Sequence, residues 1–121
     1  MSSHSIFAYG TLMDQPFVER MLGHAVEMKT ALLDNYVRLE PSYYMIFPHD
    51  KHWVNGVVIT GLTPDDVAKF DRYEGNDFGY YDRQPVTILT STGEVKAEAY
   101  VGGPHMQWFY REWLEDQAQD N

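Results

Sequence analysis

Residues 53–62, Trp-Val-Asn-Gly-Val-Val-Ile-Thr-Gly-Leu, run directly into Thr63-Pro64-Asp65-Asp66, and this junction narrows the fold more than any other stretch. Val54, Val57, Val58 and Ile59 are β-branched and suit a strand, while Gly56 marks a bulge or a close neighbour. Thr63 is a helix N-cap, Pro64 fits the first helical position, and Asp66 stands three residues after the cap. Val67, Phe70 and Tyr73 supply the apolar face of that helix, and Gly75 stops it. A long strand that feeds a capped helix with no spacer requires a sheet with a helix laid against it.

The remaining chain supplies the rest of the sheet. Residues 5–9 read as a strand buried on both faces, because Ile6, Phe7, Ala8 and Tyr9 follow one another without alternation. Asp14 caps a two-turn helix with Pro16 in its first turn, an apolar face of Phe17, Val18, Met21 and Leu22, and Gly23 at its end. Residues 25–33 alternate as a half-buried strand. Asp34-Asn35 reads as a turn, 36–39 as another strand, Glu40-Pro41-Ser42 as a break, 43–47 as a strand and 48–51 as a loop. After an irregular loop at 76–79, residues 81–89 and 96–101 form a hairpin about Thr92-Gly93-Glu94. Gly102-Gly103-Pro104 breaks the chain before a helical tail at 107–118, with Trp108, Tyr110, Trp113 and Leu114 available for packing and a polar, frayed end. Many strands with few short helices predict an α+β fold, a small mixed β-barrel flanked by short helices, in one domain over 1–121. No Gly-x-Gly-x-x-Gly is present, which argues against a doubly wound sheet.

Charge and composition narrow the function classes. Nine Lys and Arg against 18 Asp and Glu give a net charge of −9. That disfavours binding to a nucleic acid backbone or an anionic membrane, both of which need cationic side chains. The absence of cysteine removes disulfides, thiolate nucleophiles and Cys-based metal sites. No run approaches the roughly 20 apolar residues of a membrane span, and the start, Met-Ser-Ser-His, lacks the pattern of a signal peptide, so a soluble cytoplasmic protein is expected.

Several residues could carry chemistry. The stretch Phe7-Ala8-Tyr9-Gly10-Thr11-Leu12 is a strand that stops at a glycine turn. It is either a plain strand end or a loop whose amides at Gly10, Thr11 and Leu12 face an anion or a carbonyl oxygen. Glu74 lies at a helix end, where the negative pole of the helix and aromatic neighbours would both raise its pKa. It could equally be an exposed carboxylate, or one paired with Arg72 or Arg83. Tyr9, Tyr80, Tyr81 and Tyr100 lie on or beside strands, as core packing or as hydroxyls that orient a polar ligand. His49-x-x-His52 has metal-ligand types but sits in a proline-containing loop, where surface decoration is the simpler reading. Glu74 with Asp71 or Asp77 would make a carboxylate pair that the spacing does not single out. No serine-nucleophile elbow occurs.

Taken in order, Tyr9-Gly10-Thr11-Leu12, Phe70-Asp71-x-Tyr73-Glu74-Gly75 and Tyr81-x-Arg83-x-x-Val86 resemble the γ-glutamylcyclotransferase-like family, in its compact AIG2-like branch. Val54-x-Gly56 and Ala99-Tyr100-Val101 also look like family positions. The resemblance implies the same small mixed β-barrel. It implies an acyltransferase- or lyase-type enzyme, without metal or organic cofactor, that cyclises a small γ-glutamyl substrate to 5-oxoproline and frees an amine or amino acid. By the same resemblance Glu74 is the catalytic acid–base, Tyr9, Gly10, Thr11 and Leu12 form the substrate-binding loop, and Tyr81 and Tyr100 line the pocket. Thr11 stands where glutathione-directed relatives resemble Tyr-Gly-Ser-Leu, and the chain is short for that branch, which tilts the expectation away from glutathione. The segment 76–80 would border the pocket. Two other classes stay open: a binding module that holds a γ-glutamyl-type ligand without turnover, and an interaction scaffold presenting Trp108, Phe109 and Trp113.

Overall fold

The computed structural model describes residues 3–39, 45–75 and 80–119. Strand β1 (His4–Ala8) leads through a 3-10 turn, Thr11–Met13, into helix α1 (Gln15–Leu22). Strands β2 (Glu27–Leu39) and β3 (Met45–Leu62) follow, then helix α2 (Pro64–Glu74), the hairpin β4 (Tyr81–Thr90) and β5 (Gly93–Gly102), and helix α3 (Gln107–Gln119). The strands close into a barrel in the order β1-β3-β2-β4-β5. Strand β5 meets β1 in parallel, pairing Ile6 with Glu98 and Phe7 with Ala99, while the other ladders are antiparallel. The predicted mixed barrel with flanking helices is the observed architecture.

The unbroken apolar run at 6–9 is explained by two cores. Phe7 and Tyr9 point into the barrel with Leu33, Ile46, Val58 and Ile88. Ile6 and Ala8 point outward, under a layer in which Val18 and Leu22 of α1 and Val67 and Phe70 of α2 cover the wall. Alternate side chains of one strand thus serve opposite faces, and both faces are dry.

The helix caps are as read. Asp14 Oδ1 accepts from the Phe17 amide at 3.3 Å. Thr63 Oγ1 accepts from the Asp66 amide at 3.1 Å, and Asp66 Oδ2 accepts from the Thr63 amide at 3.0 Å. Asp66 is buried and has a second task. His24, just past the left-handed cap Gly23, places Nε2 at 2.9 and 3.0 Å from its two carboxylate oxygens, which stitches the end of α1 to the start of α2. His24 Nδ1 also lies 2.9 Å from the Ala25 carbonyl, so both ring nitrogens face acceptors and the imidazole is held above its ordinary pKa, chiefly by the Ala25 bond and then by Asp66.

Two expectations for the sheet are corrected. The strands read at 25–33 and 36–39 fall in one strand, β2, and the described part of the strand read at 43–47, from Met45 on, continues into 53–62 as one strand, β3. Their ladder continues from Asp34↔Trp53 to Tyr36↔Pro48 across an irregularity. The turn signals at Asp34-Asn35 and 48–51 therefore mark a bulge rather than chain reversals. Asn35 and Lys51 absorb it with left-handed backbone, φ 63° and 70°. Long-range pairing on both sides of the bulge overrides the local turn chemistry.

Gly56 has the close neighbour its position suggested. A Cβ there would stand 2.2 Å from the Ala8 carbonyl oxygen and 2.9 Å from the Phe7 ring. The first obstacle is backbone, so β1 would have to move off β3. Gly56→Ala is expected to destabilise the protein by about 2 kcal/mol, measured by urea unfolding, as an overpacked core does.

Helix α3 docks on one end of the barrel. The Tyr110 ring stacks on Phe47 with centroids 4.7 Å apart, and Trp113 stands edge-on to His49 and His52 at 5.2 and 5.8 Å. Of the four tail residues expected to pack, Tyr110 and Trp113 do so, whereas Trp108 and Leu114 stay exposed, Trp108 lying against the Phe109 ring. The two histidines thus help to seat a helix. Among the described residues no group of three His, Cys, Asp or Glu side chains could hold a metal ion, and no helix is long and apolar enough to cross a membrane.

Candidate active site

Strand β1 ends at Ala8, and the backbone that follows is held from several sides. The Tyr9 hydroxyl donates to the Tyr100 carbonyl on β5, and Arg38 Nη1 donates to the Tyr9 carbonyl at 3.1 Å. Gly10 is passed without left-handed backbone (φ −133°), and the 3-10 turn closes with Met13 N–H to Gly10 O at 2.9 Å and Asp14 N–H to Thr11 O at 3.1 Å. Tyr9 is buried, its ring inside the barrel beside Phe7. Its hydroxyl is committed to anchoring the loop.

The end of α2 meets this loop. Tyr73 and Thr11 share a hydroxyl–hydroxyl bond of 2.9 Å, and the Tyr73 ring packs edge-on against Phe17 at 5.5 Å. Glu74 is the last residue of α2. Gly75 follows as a left-handed cap (φ 69°), with its amide directed at the Arg72 and Asp71 carbonyls. Burial pushes the Glu74 carboxyl up to about 7. Its charge acts on Tyr9, whose phenol is raised first by burial and then by Glu74 and Tyr81, and on Tyr100. The loop, Glu74, Tyr81 and Tyr100 are therefore brought within electrostatic reach of one another. Tyr80 is exposed and lies against Gly75, 3.2 Å from where a Cβ would stand. Residues 76–79, and with them Asp77, lie outside the described residues, as do 40–44.

Burial is what moves the Glu74 carboxyl, and Arg83 donates to acids other than Glu74. Its Nε donates to Asp71 Oδ1 at 2.9 Å and its Nη2 to Asp71 Oδ2 at 3.3 Å, while Nη1 donates to Glu98 Oε2 at 2.8 Å. Asp71 Oδ1 also accepts from the Tyr100 hydroxyl at 2.7 Å. This network lies one helical turn before Glu74, and sequence reasoning did not assemble it. The available signal was the motif itself, because Asp71 and Glu74 are three apart on one helix and Arg83 stands two after Tyr81.

With the geometry in place, the likeness to known proteins is specific. The sequence pattern of the family described as gamma-glutamyl cyclotransferase, AIG2-like, matches residues 6–117. The chain belongs to that family. The Arabidopsis thaliana protein AIG2 C is 32% identical over 122 residues, covering 92% of this chain and 72% of that protein. A solution structure of another Arabidopsis thaliana protein superposes with a TM-score of 0.75 at 27% identity, covering 99% of this chain and 86% of the other. A structure titled gamma-glutamyl cyclotransferase superposes with a TM-score of 0.71 at 19% identity, over 84% of this chain and 67% of that one, which shows a shared fold. In the AIG2-like chain described above, the loop, α2, β4 and β5 all fall inside the matched span.

Proposed function

We propose that this AIG2-like chain is a cofactor-independent γ-glutamylcyclotransferase acting in the cytoplasm on a γ-glutamyl amine or γ-glutamyl amino acid. The observation that carries the reading is a carboxyl group pushed up to about 7 at the end of α2, on the helix end bonded to the 9–12 loop. A group with that pKa accepts and returns protons near neutrality. Glu74 as carboxylate takes a proton from the substrate α-ammonium. The freed amine attacks the γ-carbonyl, closing a five-membered ring and forming a tetrahedral oxyanion. The bond to the leaving amine then breaks as the Glu74 carboxylic acid gives the proton back, and the ring nitrogen passes its second proton to the departing amine, which leaves as an ammonium. The products are 5-oxoproline and a free amine, and the enzyme is unchanged.

Both reacting groups belong to one molecule, so the protein has only to hold it folded. In this reading the amides of Gly10, Thr11 and Leu12 hold the carboxylate or the developing oxyanion, and Tyr81 and Tyr100 flank the chain. Thr11 in the loop favours γ-glutamyl amines and simple γ-glutamyl amino acids over glutathione.

The test is mass-spectrometric detection of 5-oxoproline over a panel of γ-glutamyl amines and amino acids. Release from at least one is expected, with kcat/KM falling below about pH 7 as Glu74 of the free enzyme takes up its proton and can no longer act as base. No release from any member of the panel would overturn the activity. An acid limb in the ordinary carboxylate range would overturn the role of Glu74.

A further inference from the structure

The Asp71–Arg83–Glu98 network has a chemical consequence for Tyr100. We infer that Asp71 is a positioning residue that turns the Tyr100 phenol into a hydrogen-bond acceptor, and that this acceptor receives the α-ammonium of the bound molecule. The inference rests on the proposed γ-glutamyl reading of the site and names which end of the substrate lies against β5.

The argument is one of donors and acceptors. Arg83 donates to both Asp71 oxygens, at 2.9 and 3.3 Å, and a carboxylate gripped by such a fork offers only acceptors. The bond of 2.7 Å between Tyr100 and Asp71 must then carry the phenol proton. With that proton committed, the phenol oxygen has only lone pairs to offer. A carbonyl or carboxylate brought to it would set acceptor against acceptor, whereas an ammonium supplies the missing donor.

Charge agrees with this. Among the described residues two acidic side chains, Asp71 and Glu98, flank one guanidinium, so acids outnumber cations next to the phenol. His4 stands 3.8 Å from Glu98, at the far side of the cluster. The phenol is raised above its ordinary value by burial first and by the Asp71 bond second, so it keeps its proton. Tyr100 is thereby fit to orient the amine but not to deprotonate it. Glu74, whose charge acts on the same phenol, is left to do that.

The experiment compares two probes, γ-glutamyl-n-butylamide and N-butylglutaramic acid, which is the same molecule without the α-amine. Binding is measured by calorimetry in a Glu74→Gln background, so that neither probe is consumed. The amine-bearing probe is expected to bind more tightly. Tyr100→Phe and Asp71→Asn should each reduce that preference about tenfold, the size of a lost hydrogen bond to a charged group. The variant carrying both changes should be no worse than Tyr100→Phe. Tyr100→Phe leaves the Asp71–Arg83 pair in place, so it carries the test even if Asp71→Asn fails to fold. Equal weakening of both probes would mean a structural role only, and would overturn the inference. So would a preference that survives Tyr100→Phe. The outcome does not depend on turnover. A protein that prefers the amine through Tyr100 but releases no 5-oxoproline would retain this inference and lose the proposed reaction, and the converse result would do the opposite.

Discussion

Glu74→Gln is expected to lower kcat for 5-oxoproline release by about 10²- to 10⁴-fold, the contribution of a positioned general acid–base. Glutamine keeps the shape of the side chain and loses the ability to exchange a proton, so substrate binding should change far less than kcat. The drop should be large because the neighbouring groups cannot take over. Tyr9 and Tyr100 are phenols held above their ordinary range by burial, and their protons are bonded to a backbone carbonyl and to Asp71. Asp71 is occupied by the Arg83 fork and by the Tyr100 hydroxyl. Single-turnover assays with mass-spectrometric detection of 5-oxoproline, beside a thermal unfolding scan, make the check. Turnover at the parent rate in a folded Glu74→Gln variant would remove Glu74 from the mechanism.

The parts of this molecule that could be read from sequence are those whose physics is local. The Thr63-Pro64-Asp65-Asp66 start is a capping box in the structure because a hydroxyl and a carboxylate three residues apart satisfy each other's amides wherever they occur. The same holds for Asp14 and for the cap glycines at 23 and 75. The apolar run at 6–9 demanded two dry faces and received them. What failed was the middle of the barrel, where Asp34-Asn35 and 48–51 carry turn chemistry but sit in a ladder that runs on past them. No local rule sees that partner. The candidate site divides in the same way. Glu74 was marked by its place at a helix end, yet burial raises its carboxyl, and burial depends on the barrel wall behind it. The commitment of the Tyr100 proton to Asp71 spans 29 residues and becomes visible only once β5 and α2 are packed together.

The same half-buried carboxyl should also leave a mark on stability. Glu74 has its ordinary value of 4.5 in the unfolded chain and about 7 when folded. Between those values the folded protein keeps a proton that the unfolded chain has released, so stability is full below about pH 4.5 and falls as pH rises to about 7. The gap corresponds to a loss of about 3 kcal/mol, an upper figure because water reaching the carboxyl would reduce it. Glu74→Gln removes the titration. Its absolute stability also reflects how well a half-buried amide is bonded there, so the telling quantity is the difference between parent and variant as a function of pH. That difference should move in favour of the variant by up to about 3 kcal/mol between pH 4.5 and pH 8, measured by urea unfolding. Other titrating pairs do not confuse the comparison. The His24–Asp66 stitch has its own pH dependence, since His24 is raised and its contribution is lost as pH rises, but it is present in both proteins and cancels. Parallel stability curves from pH 4 to pH 8 would mean that Glu74 is hydrated in the folded protein, and the neutral acid limb expected for kcat/KM would then have to belong to another group.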